Sequence, residues 1–471
     1  MALWLKLAHG SGAIAFGIKD GGFSFFLLIF YNQVLGMEAS TVSYALLIAL
    51  LVDAFCDPII GNLSDRTYTR WGRRLPWLYV APIPLAIAWT LLWTPPGGGA
   101  PSFWGLVGMA VSVRLLLSCC EVPQLALVPE LTGDYDERTT LFRWRFLFGW
   151  LGGLLMMVLA YTVFMPGADG LLRPDGYAAY GIAGALLMAL AVMGSAAGQH
   201  REVARLPAVK PPPFTARNMF GEIVEAFSER AFLIWSVGAM AAYVAQGMTF
   251  SIANYLNLFV WEFGRPALTA YPAILFFSVV LMFFLVSPMH RRFGKPRSAA
   301  IAVICSAGIM LIPFALYLVR LWPEPGGLAS TLLFFGFLLC ANTMGIIAMI
   351  SANSMVAEIV EAFQERTGRR AEGSFYAGNW FIQKCATGGG ILITGQIISL
   401  SGLSTDAEPG TIPQATLDSM ILLYGGGALA MALIAAFWLH RFPIDRSAHE
   451  ARLSALDSFV RADPDHRSVG P

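Results

Sequence analysis

The sequence predicts an all-α membrane protein, with twelve transmembrane helices in two six-helix halves. Three observations carry that expectation. Of the 471 residues, 56% are hydrophobic and only 13% are charged, against about 25% charged in soluble domains. Apolar windows long enough to cross a bilayer, about 20 residues each, recur along the chain, centred near residues 24, 51, 85, 116, 155, 188, 245, 280, 309, 344, 386 and 429. The arginines and lysines are confined almost wholly to alternate loops.

The sorting runs in chain order. Arg66, Arg70, Arg73 and Arg74 follow the second span, and Arg138, Arg143 and Arg145 follow the fourth. Arg201, Arg205, Lys210, Arg217 and Arg230 lie in the middle of the chain. Arg291, Arg292, Lys295 and Arg297 follow the eighth span, and Arg366, Arg369 and Arg370 follow the tenth. The intervening loops hold only Arg173, Arg265 and Arg320. Cytoplasmic loops carry the excess of Lys and Arg, so both termini are expected in the cytoplasm and the protein in the plasma (inner) membrane. Alternation also requires an even number of spans. The net charge of +1 offers nothing to nucleic acid.

The polar stretch from Gln199 to Arg230, with Pro211-Pro212-Pro213 at its centre, divides the chain. The expected organisation is an N-terminal half over residues 1–199, a cytoplasmic loop over 200–231, a C-terminal half over 232–440 and a cytoplasmic tail over 441–471. The halves echo each other. Trp71-Gly72-Arg73-Arg74 follows the second span, and Arg291-Arg292-Phe293-Gly294-Lys295 follows the second span of the other half. A basic turn with glycine at matched places suggests parallel repeats of six helices, the major facilitator fold, with a substrate cavity between the halves. Pro95-Pro96-Gly97 and Pro323-Glu324-Pro325 mark tight connections. The tail near Ser447–Arg461 suggests a short surface helix. The six cysteines fall in apolar segments without metal spacing and read as small hydrophobes. The N-terminal segment lacks the cleavage site of a signal peptide.

The charges at membrane depth are the candidate site. Asp53 and Asp57 lie four apart in SYALLIALLVDAFCDPIIGNL, a spacing that puts both carboxylates on one face of a helix. An ionisable residue there costs roughly 2.5–3.5 kcal/mol on insertion scales. The pair therefore needs a neutralising partner, either a bound cation (Na+, Li+ or H+) or a basic side chain of a neighbouring helix. Lys19 and Asp20 are adjacent in the first span, and neighbours on a helix point about 100° apart, so one of them faces the cavity. Asp20 is expected either to accept hydrogen bonds from a substrate or to neutralise Lys19. Arg114 and Glu121 share a face of the fourth span, seven residues apart, just before the kink-forming Pro123. Arg114 either counters Asp53 and Asp57 or binds an anionic group of the substrate. One of Arg143 and Arg145 is expected to turn inward. Lys384, in NWFIQKCATGGG, belongs to the other half, and its depth argues against an interfacial position. An ammonium reaching Asp53 and Asp57 would couple both halves to cation occupancy. Phe375, Tyr376, Trp380 and Phe381 either line a substrate path or pack against neighbours.

Together these segments resemble the glycoside–pentoside–hexuronide:cation symporters, whose best-known member is the melibiose permease. The resemblance is carried by Gly17-Ile18-Lys19-Asp20, by Asp53-Ala54-Phe55-Cys56-Asp57-Pro58 with Arg70-Trp71-Gly72-Arg73-Arg74, by Glu121-Val122-Pro123 with Pro129-Glu130-Leu131-Thr132, and by Ala357-Glu358-Ile359-Val360 with the Lys384 segment. It implies cation-coupled import of a sugar, glycoside or hexuronide by alternating access. Asp53 and Asp57 match cation ligands, with Na+ the metal ion in question and H+ the alternative. Asp20, Glu121 and, in approximate register, Arg145 match substrate-binding positions, joined here by Arg114 and Trp380. Lys384 matches a residue beside the cation site, and Lys19 and Lys384 are the expected coupling residues. Leu125 stands where the melibiose permease has a sugar-stacking Trp, which leaves room for another organic anion or a lysolipid-like amphiphile. No cofactor and no catalytic residue are expected, and the partners are a small solute and the bilayer, with the chain a monomer. Two other classes stand against a symporter. One is an intramembrane Mg-dependent prenyl transferase built on Asp-x-x-x-Asp at 53–57, which lacks the second acidic motif. The other is a sensor that has lost transport.

Overall fold

The computed structural model describes residues 1–132, 134–205, 227–367 and 371–443. The tail segment Ser447–Arg461 and most of the polar stretch between the halves lie outside the described residues. Helix α1 runs Leu3–Val34, α2 Ala39–Asp65, α3 Leu75–Val80 and on through Pro82–Trp93, α4 Phe103–Ala126, α5 Tyr135–Leu159 and α6 Asp175–Val203. The second half has α7 at Arg230–Val260, α8 Arg265–Phe293, α9 Lys295–Leu318, α10 Leu328–Thr367, α11 Glu372–Ser401 and α12 Gln414–His440. Ten helices among the described residues are long and apolar enough to cross a membrane. Neither the broken α3 nor the Lys384-bearing α11 is among those ten.

Local sequence explains where several helices start. Ser102 caps α4 by accepting from the Gly105 amide at 3.1 Å, and Asp134 caps α5 by accepting from Glu137 at 2.8 Å. Such caps satisfy amides that have no partner inside the helix. Pro82, Pro266 and Pro296 sit in first turns, where a missing N–H costs nothing.

The halves repeat pair for pair. In the first, α1 packs on α5 and α6, α2 on α4, and α3 on α4 and α6. In the second, α7 packs on α11 and α12, α8 on α10, and α9 on α10 and α12. The matched basic turns land in matched places. Arg73 and Arg74 both pair with Glu130 beyond α4, and Arg74 also reaches Asp65 at 2.9 Å. Lys295 pairs with Glu358 of α10 at 2.7 Å.

The halves meet through α2 with α11, α1 with α7, and α5 with α8. Neutral hydrogen bonds join them toward the end far from the termini. Asn254 donates to the Phe25 carbonyl at 2.7 Å and accepts from Tyr161 at 2.7 Å, while Tyr255 donates to Asn32 at 3.0 Å. Gln33 donates to the Ser404 carbonyl at 3.0 Å. Close approach of α2 to α11 depends on Gly395, where a Cβ would come within 2.1 Å of the Ser43 hydroxyl. Small residues permit this backbone approach when lipid is as apolar as the side chains.

Both halves end their first helix alike. Phe30–Val34 and Leu256–Val260 widen into π-helical turns. The Met37 amide then donates to the Tyr31 carbonyl at 2.9 Å, and the Phe263 amide to that of Asn257 at 2.8 Å. Each turn passes through one residue of positive φ, Gly36 at 76° in the first half and Glu262 at 48° in the second. Glycine adopts that conformation without strain, and other residues pay about 1–2 kcal/mol for it. Glu262→Gly is therefore expected to raise the thermal midpoint in detergent, with a gain of about 1 kcal/mol. A lower midpoint for the glycine variant would show that the turn carries no strain at this residue.

Candidate functional site

α2 turns both carboxylates of Asp53 and Asp57 inward, one turn apart. α4 packs along α2 and sets Arg114 and Ser118 against them. The Arg114 Nη1 donates to Asp53 Oδ2 at 2.9 Å. The Ser118 hydroxyl lies 2.9 Å from Asp53 Oδ1 and 2.7 Å from Asp57 Oδ1. Lys384 arrives from α11 of the other half, its Nζ 2.9 Å from Asp53 Oδ2 and 2.5 Å from Asp57 Oδ2. Two negative and two positive side chains thus meet at membrane depth with no net charge. Unpaired, each would bear several kcal/mol of desolvation.

The members of this cluster differ in access. Asp53 is 3% exposed and Arg114 5%, and the guanidinium lies over the Phe23 ring at 4.7 Å. Asp57 is half-buried, with 27% of its side chain exposed. The inner pair is closed off, and the Asp57–Lys384 pair borders open space.

A second group lies beside it on α1, α4 and α5. Asp20 is exposed, whereas its neighbour Lys19 is buried, with Nζ 3.7 Å from the Asp20 carboxylate and 4.5 Å from the Phe16 ring centre. α1 is flanked by α4, α5, α6 and α7, and Asp20 lies on its exposed face. Arg145 turns inward from α5 and is buried, while Arg143 is exposed. The Arg145 guanidinium stands 4.0 Å from Glu121, and its Nη1 is buried without a hydrogen-bond partner among the described residues. Trp380 is exposed one turn before Lys384 on α11, and Phe381 packs edge-on against Phe55 of α2 at 5.2 Å.

The structure therefore brings Asp53, Asp57, Arg114 and Lys384 together, and sets Lys19, Asp20, Glu121 and Arg145 in a neighbouring group. Arg114, grouped by sequence with substrate-binding positions, has its guanidinium on Asp53. Ser118 and Phe23 were not singled out from sequence. The spacing of Ser118, four residues after Arg114 and three before Glu121, was the available signal, because such positions share a helix face. A third polar group braces the base of α1. His9 bonds Gln199 at 3.0 Å, and Gln124 donates to the His9 carbonyl at 2.8 Å and to Ser195 at 3.0 Å.

Two repeated halves around a charged, partly open interior define a membrane transporter. The family model described as MFS/sugar transport protein matches residues 8–446, and the chain belongs to that family; it is a transporter and not an enzyme. It is 27% identical to an uncharacterized symporter of Synechocystis sp., with 94% of each chain covered. It is 36% identical to the isoprimeverose transporter of Lactiplantibacillus pentosus over 29% of each chain. Its fold is similar to the crystal structure of a D-xylose-proton symporter, with a TM-score of 0.64 at 14% identity, covering 94% of this chain and 98% of that one.

Removing one partner of a buried ion pair strands the other. Arg114→Leu is expected to lower the unfolding free energy by about 3–5 kcal/mol, and adding Asp53→Asn to restore much of it. Thermal unfolding of the two single variants and the double variant checks this. Additive losses in the double variant would show that the two side chains are not coupled.

Proposed function

We propose that the chain is a cation-coupled symporter that imports a small polar solute, a sugar, glycoside or hexuronide, by alternating access. It crosses the membrane twelve times, with the Arg-rich loops and both termini cytoplasmic. The observation that carries this reading is Lys384 of one half on Asp53 and Asp57 of the other, at 2.9 and 2.5 Å. A cation that binds Asp57 competes with the Lys384 ammonium. Binding therefore loosens α11 from α2 and biases the rocking of the halves. A solute whose binding favours the same state raises cation affinity by the factor by which the cation raises its own.

The second group supplies the solute site. Asp20 offers an exposed carboxylate to hydroxyl donors, and Glu121 offers a half-buried one. Arg145 brings a buried guanidinium nitrogen that has no hydrogen-bond partner among the described residues. Trp380 offers an apolar face at the open side of Lys384. That the isoprimeverose transporter is a relative supports a sugar-like solute. The charged lining supports import of a polar molecule over an amphiphile.

The test is uptake into proteoliposomes of labelled neutral glycosides, hexuronides and lysolipids, with an imposed Na+ or H+ gradient. Gradient-driven accumulation of a sugar or hexuronide is expected. Asp57→Asn should abolish accumulation while the protein still inserts and elutes as the wild type does. Unchanged accumulation in that variant would remove Asp57 from the coupling site. Chemical conversion of a solute without accumulation would sink the symporter reading.

A further inference from the structure

The symporter reading leaves open which cation drives uptake, and the ligand inventory around Asp53 and Asp57 bears on that choice. We infer that Arg114 is a tethered cation standing where a metal ion would be balanced, so that the carboxylate pair does not take Na+ or Li+ in the working protein. This rests on the symporter reading of the same pair.

A hard metal ion between helices needs several oxygen ligands. On α2, the residues between the carboxylates are Ala54, Phe55 and Cys56, whose side chains carry no oxygen. On α4, Ser118 is followed by Cys119 and Cys120, and thiols suit soft metals. Among the described residues, no group of three His, Cys, Asp or Glu side chains is placed to hold a metal. All four carboxylate oxygens already face donors. Asp53 Oδ2 faces Arg114 and Lys384, Asp57 Oδ2 faces Lys384, and both Oδ1 atoms face the single hydroxyl of Ser118.

Lys384 alone would not exclude a metal ion. It is a flexible side chain from the other half, and it leaves when the halves part. Arg114 has no such freedom. It sits on α4, packed against α2 within one half, buried and lying over Phe23 at 4.7 Å. Rocking of rigid halves keeps it on Asp53. A metal ion on the other oxygen of Asp53 would sit roughly 5 Å from the guanidinium. Like charges at that distance, with an effective dielectric constant of about 20, cost on the order of a hundredfold in affinity. With Arg114 fixed, withdrawal of Lys384 leaves one negative charge to balance. A proton meets that need on a single lone pair, without a coordination shell.

The experiment is equilibrium binding of radiolabelled Na+ to the purified full-length protein, by scintillation proximity. The wild type is expected to show no saturable binding. Arg114→Ser is expected to gain Na+ affinity by about a hundredfold, a gain that Asp57→Asn abolishes, while Arg114→Lys gains none. Saturable wild-type binding that Asp57→Asn abolishes overturns the inference. So does a folded Arg114→Ser protein, with native elution and a cooperative thermal transition, that gains no Na+ binding. Should Arg114→Ser not fold, the wild-type measurement decides alone. In proteoliposomes, solute accumulation driven by H+ and indifferent to Na+ supports both readings. Accumulation driven by Na+ overturns the role of Arg114 and keeps the symporter. Absence of gradient-driven accumulation overturns the symporter, while the Na+ binding measurement still decides the role of Arg114.

Discussion

Two carboxylates held four residues apart at membrane depth are the constraint around which this interior is built. Neither Asp53 nor Asp57 can be left unpaired there without a cost comparable to a large part of a protein's stability. Their neutralisation is divided between two sources. Arg114 comes from the neighbouring helix of the same half, and Lys384 from across the half boundary. One partner holds α2 to α4 and the other holds α2 to α11. The ion pairs are thus also the joints of the molecule, and whatever competes for the carboxylates acts on those joints.

The rest of the architecture makes such competition consequential. The halves repeat their internal packing helix for helix, as the proposed rocking of two rigid units requires. Between them lies a far-side seal of neutral hydrogen bonds through Asn32, Asn254 and Tyr255. Bonds of that kind are worth only about 0.5–1.5 kcal/mol each. A seal built from several of them holds one state without making it permanent. The π-helical turns of α1 and α7 lie in this seal, where backbone irregularity is tolerable because protein covers it.

Much of this is legible in the sequence, and the reason is physical. Hydrophobic length and the sorting of Arg and Lys are demanded by the bilayer itself, so the helical plan and the repeated basic turns can be read directly. The Asp53 and Asp57 spacing is equally plain, since four residues on a helix make one face whatever surrounds it. The partners are harder. Lys384 stands 327 positions from Asp57, and only the packing of α2 on α11 brings them together. Ser118 is one of many serines, and nothing in its type marks it until α4 is laid beside α2. Arg114 was open to two uses from sequence, and only the distance to Asp53 separates them. The inward turn of Arg145 rather than Arg143 depends on the rotation of α5, which apolar periodicity sets loosely in a helix that faces both lipid and protein.

The division between a fixed and a mobile cation also bears on cost. If both positive groups could leave, the empty pair would carry two negative charges about one helical turn apart, and their mutual repulsion would add to desolvation. With Arg114 retained, loss of Lys384 would leave the Asp53–Asp57 cluster only one charge from neutrality. Under the proposed reading that single charge would be exchanged at Asp57, whose side chain is 27% exposed, and not at Asp53, which is buried beside Arg114. Ser118 fits the same economy. Its hydroxyl has one proton and two carboxylate neighbours, so it fully satisfies both only when one of them is itself protonated or otherwise engaged. In the proposed symporter the exchangeable event would then fall on the Asp57 carboxylate, which Lys384 of α11 contacts from the other half.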